Sequence, residues 1–553
     1  MSKIKTIYIS CLILLGAVSQ SAHCQETNRF EISKQLEIFN ALVKEVEMFY
    51  VDSVEVDKMV RRGIDAMLKG FDPYTQYIPE ENMDALKYIT TGEYAGIGAL
   101  IEQRKRGVVI AEPYEGMPAQ LAGLKTGDII ISIDTTDVTT MTSNEVSELL
   151  KGVPNSKVTV TVRRPLEPKP KKFELIRKQI VITQVPYYGV RGDGTGYIYL
   201  SGFTDKSASE VKAAFEDLKQ NHRIKSLILD LRDNGGGILD AAVQIVNMFV
   251  PKGKEVVSTR GKIPQRDLIY RTSLEPVDTV IPIAVLINGN SASAAEIVCG
   301  ALQDLDRAVL VGERSYGKGL VQSTRDLPYN GKVKITISKY YIPSGRCIQQ
   351  IDYAHRNADG SASAIPDSLT HLFHTANGRP VRDGGGIRPD FEIEEKDLPT
   401  MLYYLVNDDI LLDYVNEWAA KHKSIPAPEQ FVYSDKDYEG FKEYISERNF
   451  TYDRQSEKYL KELEQVAEYE GYIDGDTTLF ADLKTRLTPD LTHDLDRHKD
   501  EIKRLIATKI SQRYYYQKGE IIESLKNDNT LTKALEVLTD SELYRKTLGR
   551  PEE

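Results

Sequence analysis

The 553-residue chain has four cysteines, and two of them, Cys11 and Cys24, fall in its first two dozen residues. That leaves Cys299 and Cys347, too few for a disulfide-dense scaffold. Long apolar runs are missing as well. The run from Ile7 to Val18 is shorter than the ~20 residues that span a bilayer, and nothing later is longer. The net charge is −11 with no long like-charge tail, which argues against a generic nucleic-acid binder. No G-x-x-x-x-G-K-[ST] pattern is present, so a nucleotide site is not expected. No G-x-S-x-G elbow occurs, and His222, His355, His371 and His374 sit in polar segments, so the usual serine-histidine pairing is not visible. No metal ligand set and no cofactor motif is apparent.

What is present centres on Ile281 to Gln322. Ile281 to Ile287 is a β-branched apolar run ended by Asn288-Gly289-Asn290, and it predicts a buried strand. Ser293-Ala294-Ala295-Glu296 reads as a capping box opening a helix whose apolar stripe is Ile297, Val298, Ala301, Leu302 and Leu305. A serine there lies beside unpaired helix N–H groups that suit an oxyanion, although a plain N-cap places serine in the same way. Lys318 follows a second apolar run and sits between Gly317 and Gly319. A lysine desolvated enough to lose its proton takes a hydroxyl proton as histidine would. If a strand continues from Lys318, Gln322 falls on the same face and its amide can hold the ammonium. Cys299 lies on the apolar side of the helix and reads as a buried thiol.

Ser291 to Glu296 and Tyr316 to Gly319 resemble the S-A-S-A-x-E and F/Y-G-K-G segments of the C-terminal processing peptidases, the tail-specific proteases. The resemblance implies Ser293 as nucleophile, Lys318 as base and Gln322 as the residue orienting the lysine. Asp304 ends the matched A-L-Q-D segment, about 16 Å along a helix from Ser293 at ~1.5 Å per residue, so a structural role at the helix end is expected. Asp230-Leu231-Arg232-Asp233-Asn234-Gly235-Gly236-Gly237 follows a strand-like run and resembles the family's D-L-R-x-N-x-G-G segment. It implies an oxyanion hole from Gly235 or Gly236 with Ala294, the choice of glycine staying open. Phe71 to Tyr77 resembles the family's D-P-x-S/T-x-Y turn, and Pro343-Ser344-Gly345-Arg346 and Arg388-Pro389-Asp390 match later family segments.

Between Gly92 and about Arg164 the chain resembles a PDZ domain. Gly96-Ile97-Gly98-Ala99 matches the loop whose N–H groups take a terminal carboxylate, a peptide can add as a strand beside it, and Val146 and Leu150 are expected to line the pocket for the last apolar side chain. Met1 to Cys24, with Lys3 and Lys5 before its apolar core, reads as a signal peptide, which predicts export to the periplasm or cell envelope. Lipid anchoring at Cys24 is the weaker alternative, because His23 stands where a lipoprotein signal has a small residue.

The expected organisation is therefore multidomain α/β. It comprises a signal segment over 1–24, a helical region over 25–91, a PDZ domain over 92–165, a Ser/Lys peptidase core of the crotonase/Clp-like type over 166–396, and a mostly helical region over 397–553. The leading expectation is a serine endopeptidase acting on proteins with apolar free C-termini and self-associating through its helical ends. The alternative is an inactive PDZ adaptor. A crotonase-type acyl-CoA enzyme shares an oxyanion turn after a strand, but it explains neither the PDZ-like module nor the paired Ser and Lys.

Overall fold

The computed structural model describes residues 29–83, 91–192, 194–394, 398–448, 450–452, 455–473, 478–487 and 491–550. The expected signal segment lies outside them. Among the described residues, no helix is long and apolar enough to cross a membrane. The chain forms two compact units.

The smaller unit takes in the described residues up to Glu80 with Gln322–Thr336 and Tyr353–Ser361. Its helices cover 29–49 and Val56–Lys69, in line with the helical lead-in. After them the Asp72 carboxylate accepts the N–H groups of Tyr74 and Thr75 at 2.8 and 2.7 Å. This Asx turn directs the chain into the strand Gln76–Ile78, which pairs antiparallel with residues 332–334. Helix 29–49 leaves Phe30, Leu36, Phe39, Leu42 and Phe49 exposed.

In the larger unit a six-stranded sheet runs in the order Tyr187–Arg191, Thr195–Tyr199, Ser226–Asp230, Ile283–Ile287, Val309–Gly312, Phe391–Glu392. Only the first strand is antiparallel to its neighbour. Every residue of Ile283–Ile287 is buried, as its apolar run predicts, because both faces of the sheet are covered. Ile283, Val285 and Ile287 face a cluster that includes the helices Ser207–Asn221, Leu239–Phe249 and Ala294–Asp304. Ala284 and Leu286, displaced by one residue, face Ile521, Leu531, Ala534, Val537 and Leu548.

That second layer comes from the helical region over 397–553. Its last helices, Asn529–Thr539 and Ser541–Thr547, complete the peptidase core by covering a sheet face. The Tyr544 hydroxyl accepts the Ile283 N–H at 2.9 Å and donates to the Ile283 carbonyl at 3.3 Å. The remainder of the C-terminal region packs on its own core around Trp418, Phe431, Tyr438 and Phe441.

The PDZ-like module also extends beyond its expected end. Strand Lys171–Ile176 pairs along its whole length with Lys157–Arg163, so Pro165 to Pro170 is a hairpin connection within one sheet. Lys178–Val181 then pairs with Glu93–Gly96. The boundary expected at 165/166 falls inside this module. A proline-rich turn resembles a linker until the pairing partner of the strand beyond it is known.

Candidate active site

Ser293 sits at the start of Ala294–Asp304 with φ +58° and ψ −114°, a backbone region that L-residues rarely occupy. Three contacts hold it there. Its N–H donates to Glu296 Oε2 at 2.8 Å, its carbonyl accepts the Tyr340 hydroxyl at 3.1 Å, and Gly236 packs against its Cβ. The capping box read from the sequence forms. Ser291, the first serine of the segment, is fully buried; its hydroxyl donates to the Leu231 carbonyl at 2.7 Å and accepts the Asn288 N–H at 3.0 Å. It ties two strand ends together, and Ser293 is the half-buried one.

Glu296 does far more than cap. With none of its surface exposed, it accepts Ser315 Oγ at 2.6 Å and Gly317 N at 2.7 Å on Oε1, and Ser293 N and Lys318 N, both at 2.8 Å, on Oε2. Burial pushes its carboxyl above the ordinary range, and these hydrogen bonds pull it part of the way back. The N–H groups of Ser293 and Lys318 therefore lie within twice one hydrogen-bond length of each other. From the sequence, Glu296 reads only as the N3 partner of a cap. The available signal was a carboxylate one turn into a helix with no exposed face, because a buried charge requires partners.

The glycines flanking Lys318 have separate reasons. Gly317 has φ +83°, and a Cβ on it would lie 2.5 Å from Gln350 Cβ; one on Gly319 would lie 2.8 Å from the Gln349 N. Gln349 also accepts the Gly319 N–H through Oε1 at 2.8 Å. Small residues are needed because the Gln349–Gln350 backbone runs alongside the lysine. Gln322 belongs to the smaller unit, where its Nε2 donates to Thr336 Oγ1 at 3.1 Å.

The segment Asp233 to Gly236 reaches Ser293 from the neighbouring strand. Gly236, at φ +92°, has room for no side chain: a Cβ would lie 2.6 Å from the Ala292 carbonyl, 2.7 Å from Ser293 Cβ and 2.9 Å from the Ala294 N. Its N–H is committed to Asn234 Oδ1 at 2.9 Å, while Asn234 O accepts the Ala292 N–H at 2.9 Å. No hydrogen bond among the described residues uses the Gly235 N–H, and a Cβ there would meet nothing within 4 Å. Asp304 is buried 42 positions before Arg346, which it binds at 2.8 Å, and it accepts the Ser344 N–H at 2.9 Å, a structural pairing at the helix end. Cys299 is fully buried, and burial pushes its thiol well up.

In the PDZ-like module a groove of about 750 Å³ is lined by Gly96, Ile97, Ala99, Ile101, Ser147 and Leu150 among others. Ala99–Arg104 is the terminal strand of its sheet, so an edge is available beside the groove. Val146 and Gly98 do not line it. Val146, on the helix Ser143–Leu150, is fully buried in the module's core, and Ser143 and Ser147 face the groove in its place. Helical periodicity permits either face, and only packing decides between them. Gly98 turns the loop at φ +71°, with its carbonyl accepting the Tyr114 N–H at 3.0 Å.

A strained serine and a lysine clamped by one carboxylate beside a glycine turn define a peptidase-like core, and the groove in the preceding module adds a tail-binding domain. Comparisons with known proteins agree. Residues 194–354 match the model of peptidase family S41, 109–164 that of a PDZ domain, and 401–538 that of a probable PDZ-protease C-terminal helical domain. The chain is 35% identical over 348 residues to a carboxy-terminal-processing protease of Bartonella bacilliformis, covering 62% of this chain and 79% of that one. It is 30% identical over 351 residues to a probable CtpA-like serine protease of Staphylococcus aureus strain COL, covering 62% and 69%. Among solved structures, a photosystem II D1 C-terminal processing protease is 27% identical, covering 66% of this chain and 94% of that one, with a TM-score of 0.35. The chain belongs to peptidase family S41, the carboxy-terminal-processing proteases, and is a serine-type peptidase with a PDZ domain.

Proposed function

We propose that this protein is an exported endopeptidase that captures the apolar free C-termini of proteins in its PDZ groove and hydrolyses peptide bonds with Ser293 and Lys318. The observation that carries this reading is the shared Glu296 clamp, which brings the backbones of the two residues together. Neutral Lys318 takes the Ser293 hydroxyl proton as Oγ attacks the scissile carbonyl. The amide N–H groups of Gly235 and Ala294 stabilise the oxyanion, and the proton passes to the leaving amine. Water then attacks the acyl-enzyme and restores the serine. Of the two candidate glycines, Gly235 suits the donor role because the Gly236 N–H is already committed to Asn234.

Export rests on the signal segment over 1–24, and self-association is supported by the apolar side chains left exposed on helix 29–49. The deciding experiment compares wild type, Ser293→Ala and Lys318→Arg on an unstructured protein with an apolar C-terminus. Both variants should bind the tail and cut nothing, because a guanidinium cannot act as base. Retained cleavage by Lys318→Arg would reject the dyad, and a wild type that binds without cutting would make the protein an adaptor.

A further inference from the structure

Arg232 immediately precedes the turn that carries Gly235. Its Nε donates to Asp230 Oδ1 at 3.0 Å and its Nη2 to Asp230 Oδ2 at 2.6 Å, and the same Nη2 reaches Asp528 Oδ2 at 2.7 Å. Asp528 comes from the C-terminal helical region, where it is the N-cap of Asn529–Thr539 and its Oδ1 accepts the Leu531 N–H at 2.8 Å. The three side chains are only 14%, 1% and 8% exposed for Arg232, Asp230 and Asp528. The Tyr197 hydroxyl adds a hydrogen bond to Asp230 Oδ2 at 2.7 Å.

Neither folding requirement explains this cluster. Asparagine or serine would cap the helix as well, and apolar side chains of similar volume often replace a buried ion pair without loss of stability. What the cluster does is fix how the chain leaves the sheet. The Arg232 N–H is also tied to Asp230 Oδ1 at 3.0 Å, so residues 230 to 232 form a closed hydrogen-bonded bend. The next residue, Asp233, is held by Asn288, whose Oδ1 accepts the Asp233 N–H at 3.0 Å, and by Asn290, whose Nδ2 donates to Asp233 Oδ1 at 2.8 Å. The entry to the glycine turn is thus held at two adjacent residues, Asp233 by the loop leading to Ser293 and Arg232 by the C-terminal region. Oxyanion donors act only when they lie about 2.7–3.1 Å from the position the developing charge will occupy, and a misplacement of about 1 Å can cost ~10²-fold in rate.

We propose that Asp528 is a positioning residue for peptide hydrolysis: by holding Arg232 it sets the turn that presents the Gly235 N–H, so the C-terminal helical region adjusts the oxyanion hole of the peptidase core. This rests on the reading of Gly235 as a donor and Ser293 as nucleophile, and it assigns the last helices a catalytic consequence in addition to covering the sheet.

The test uses the full chain with Asp528→Asn, which keeps size and capping ability but removes the charge facing Arg232, together with Asp528→Glu as the conservative variant. Leu531→Ala, which loosens the same helix without touching Arg232, is the structural control. The readouts are kcat and KM on a peptide substrate, the inhibition constant of a peptide aldehyde that forms a tetrahedral adduct, and Tm. Asp528→Asn should lower kcat about tenfold and weaken the aldehyde by the same factor with KM unchanged, short of the ~10²–10³-fold cost of deleting a donor. Asp528→Glu should recover part of the loss, and Leu531→Ala should lower Tm with little change in kcat below its melting range. Wild-type kcat and aldehyde affinity in Asp528→Asn would overturn the proposal, as would kcat losses that merely track Tm across the variants. Cleavage retained by Ser293→Ala would instead reject the underlying reading, whatever Asp528 does.

Discussion

Ser293 and Lys318 donate their backbone N–H groups to one and the same oxygen, Oε2 of Glu296, each at 2.8 Å. The other oxygen of that carboxylate holds Ser315 and Gly317, so a single buried side chain fixes the start of one helix and the loop after the next strand. The relative placement of Ser293 and Lys318 is thus set by the backbone, and the side chains inherit it.

Glu296→Gln should therefore be severe. The amide keeps one acceptor but turns an NH₂ toward N–H donors, leaving groups unpaired around a side chain with no exposed surface. We expect loss of about 3 kcal/mol of stability and at least about a hundredfold fall in kcat, from chemical denaturation and steady-state kinetics. Near wild-type turnover in a folded variant would show that the clamp is dispensable.

The two adjacent glycines should respond in opposite ways. Gly236→Ala forces a Cβ to within 2.6 Å of the Ala292 carbonyl at φ +92°, so it should abolish cleavage and lower Tm. Gly235→Ala meets nothing within 4 Å and keeps its N–H, so most activity should survive. Equal losses in the two variants would refute the assignment of the donor.

Tail capture is separable from the module's stability. A substrate with a free apolar C-terminus should be cut faster than its amidated twin, and Gly98→Val should erase the difference, because a Cβ there lies 2.5 Å from Met117 Cβ and must deform the loop. Val146→Ala, in the core, should cost about 2 kcal/mol of stability yet leave the preference intact. Competition assays with the paired peptides and thermal melts of each variant distinguish the two effects. Equal cleavage of the paired substrates by wild type would reject tail recognition.

A pH-dependent contact joins the PDZ-like module to the C-terminal region. Helix Lys499–Ser524 breaks its helical geometry at Tyr516, with φ 56° and ψ −155°, and the next N–H, that of Gln517, donates to Glu112 Oε1 at 2.8 Å. Gln512 Nε2 donates to Glu112 Oε2 at 3.1 Å. Burial raises the Glu112 carboxyl above its usual 4.5, and these two hydrogen bonds only partly counter it. A proton held more tightly in the folded state makes this group's contribution greatest below pH 4.5 and erodes it as pH rises through the folded value. Glu112→Gln should accordingly flatten the fall in Tm with rising pH above 4.5 relative to wild type. Parallel Tm–pH profiles for the two proteins would show that Glu112 does not supply that slope.

The sequence by itself determined the strand Ile283–Ile287, the helix that Ser293 opens, the glycine-flanked Lys318 and the glycine loop at residues 96–99. Each is written in local order, as a β-branched run, a capping box, or small residues around a polar one. It also carried the family resemblance, because those segments are short and contiguous. It did not reveal that Val146 faces the module's core, that strand Lys171–Ile176 extends the sheet past the prolines, or that Asn529–Thr547 covers the peptidase sheet. Nor did it reveal that Glu296 joins Ser293 to Lys318, or that Asp528 reaches Arg232. These depend on which distant surface an apolar stripe meets and which donors surround a buried carboxylate. Local propensity fixes the period of a stripe but not its partner, and a charge is paid for in the interior only by groups that tertiary packing brings to it.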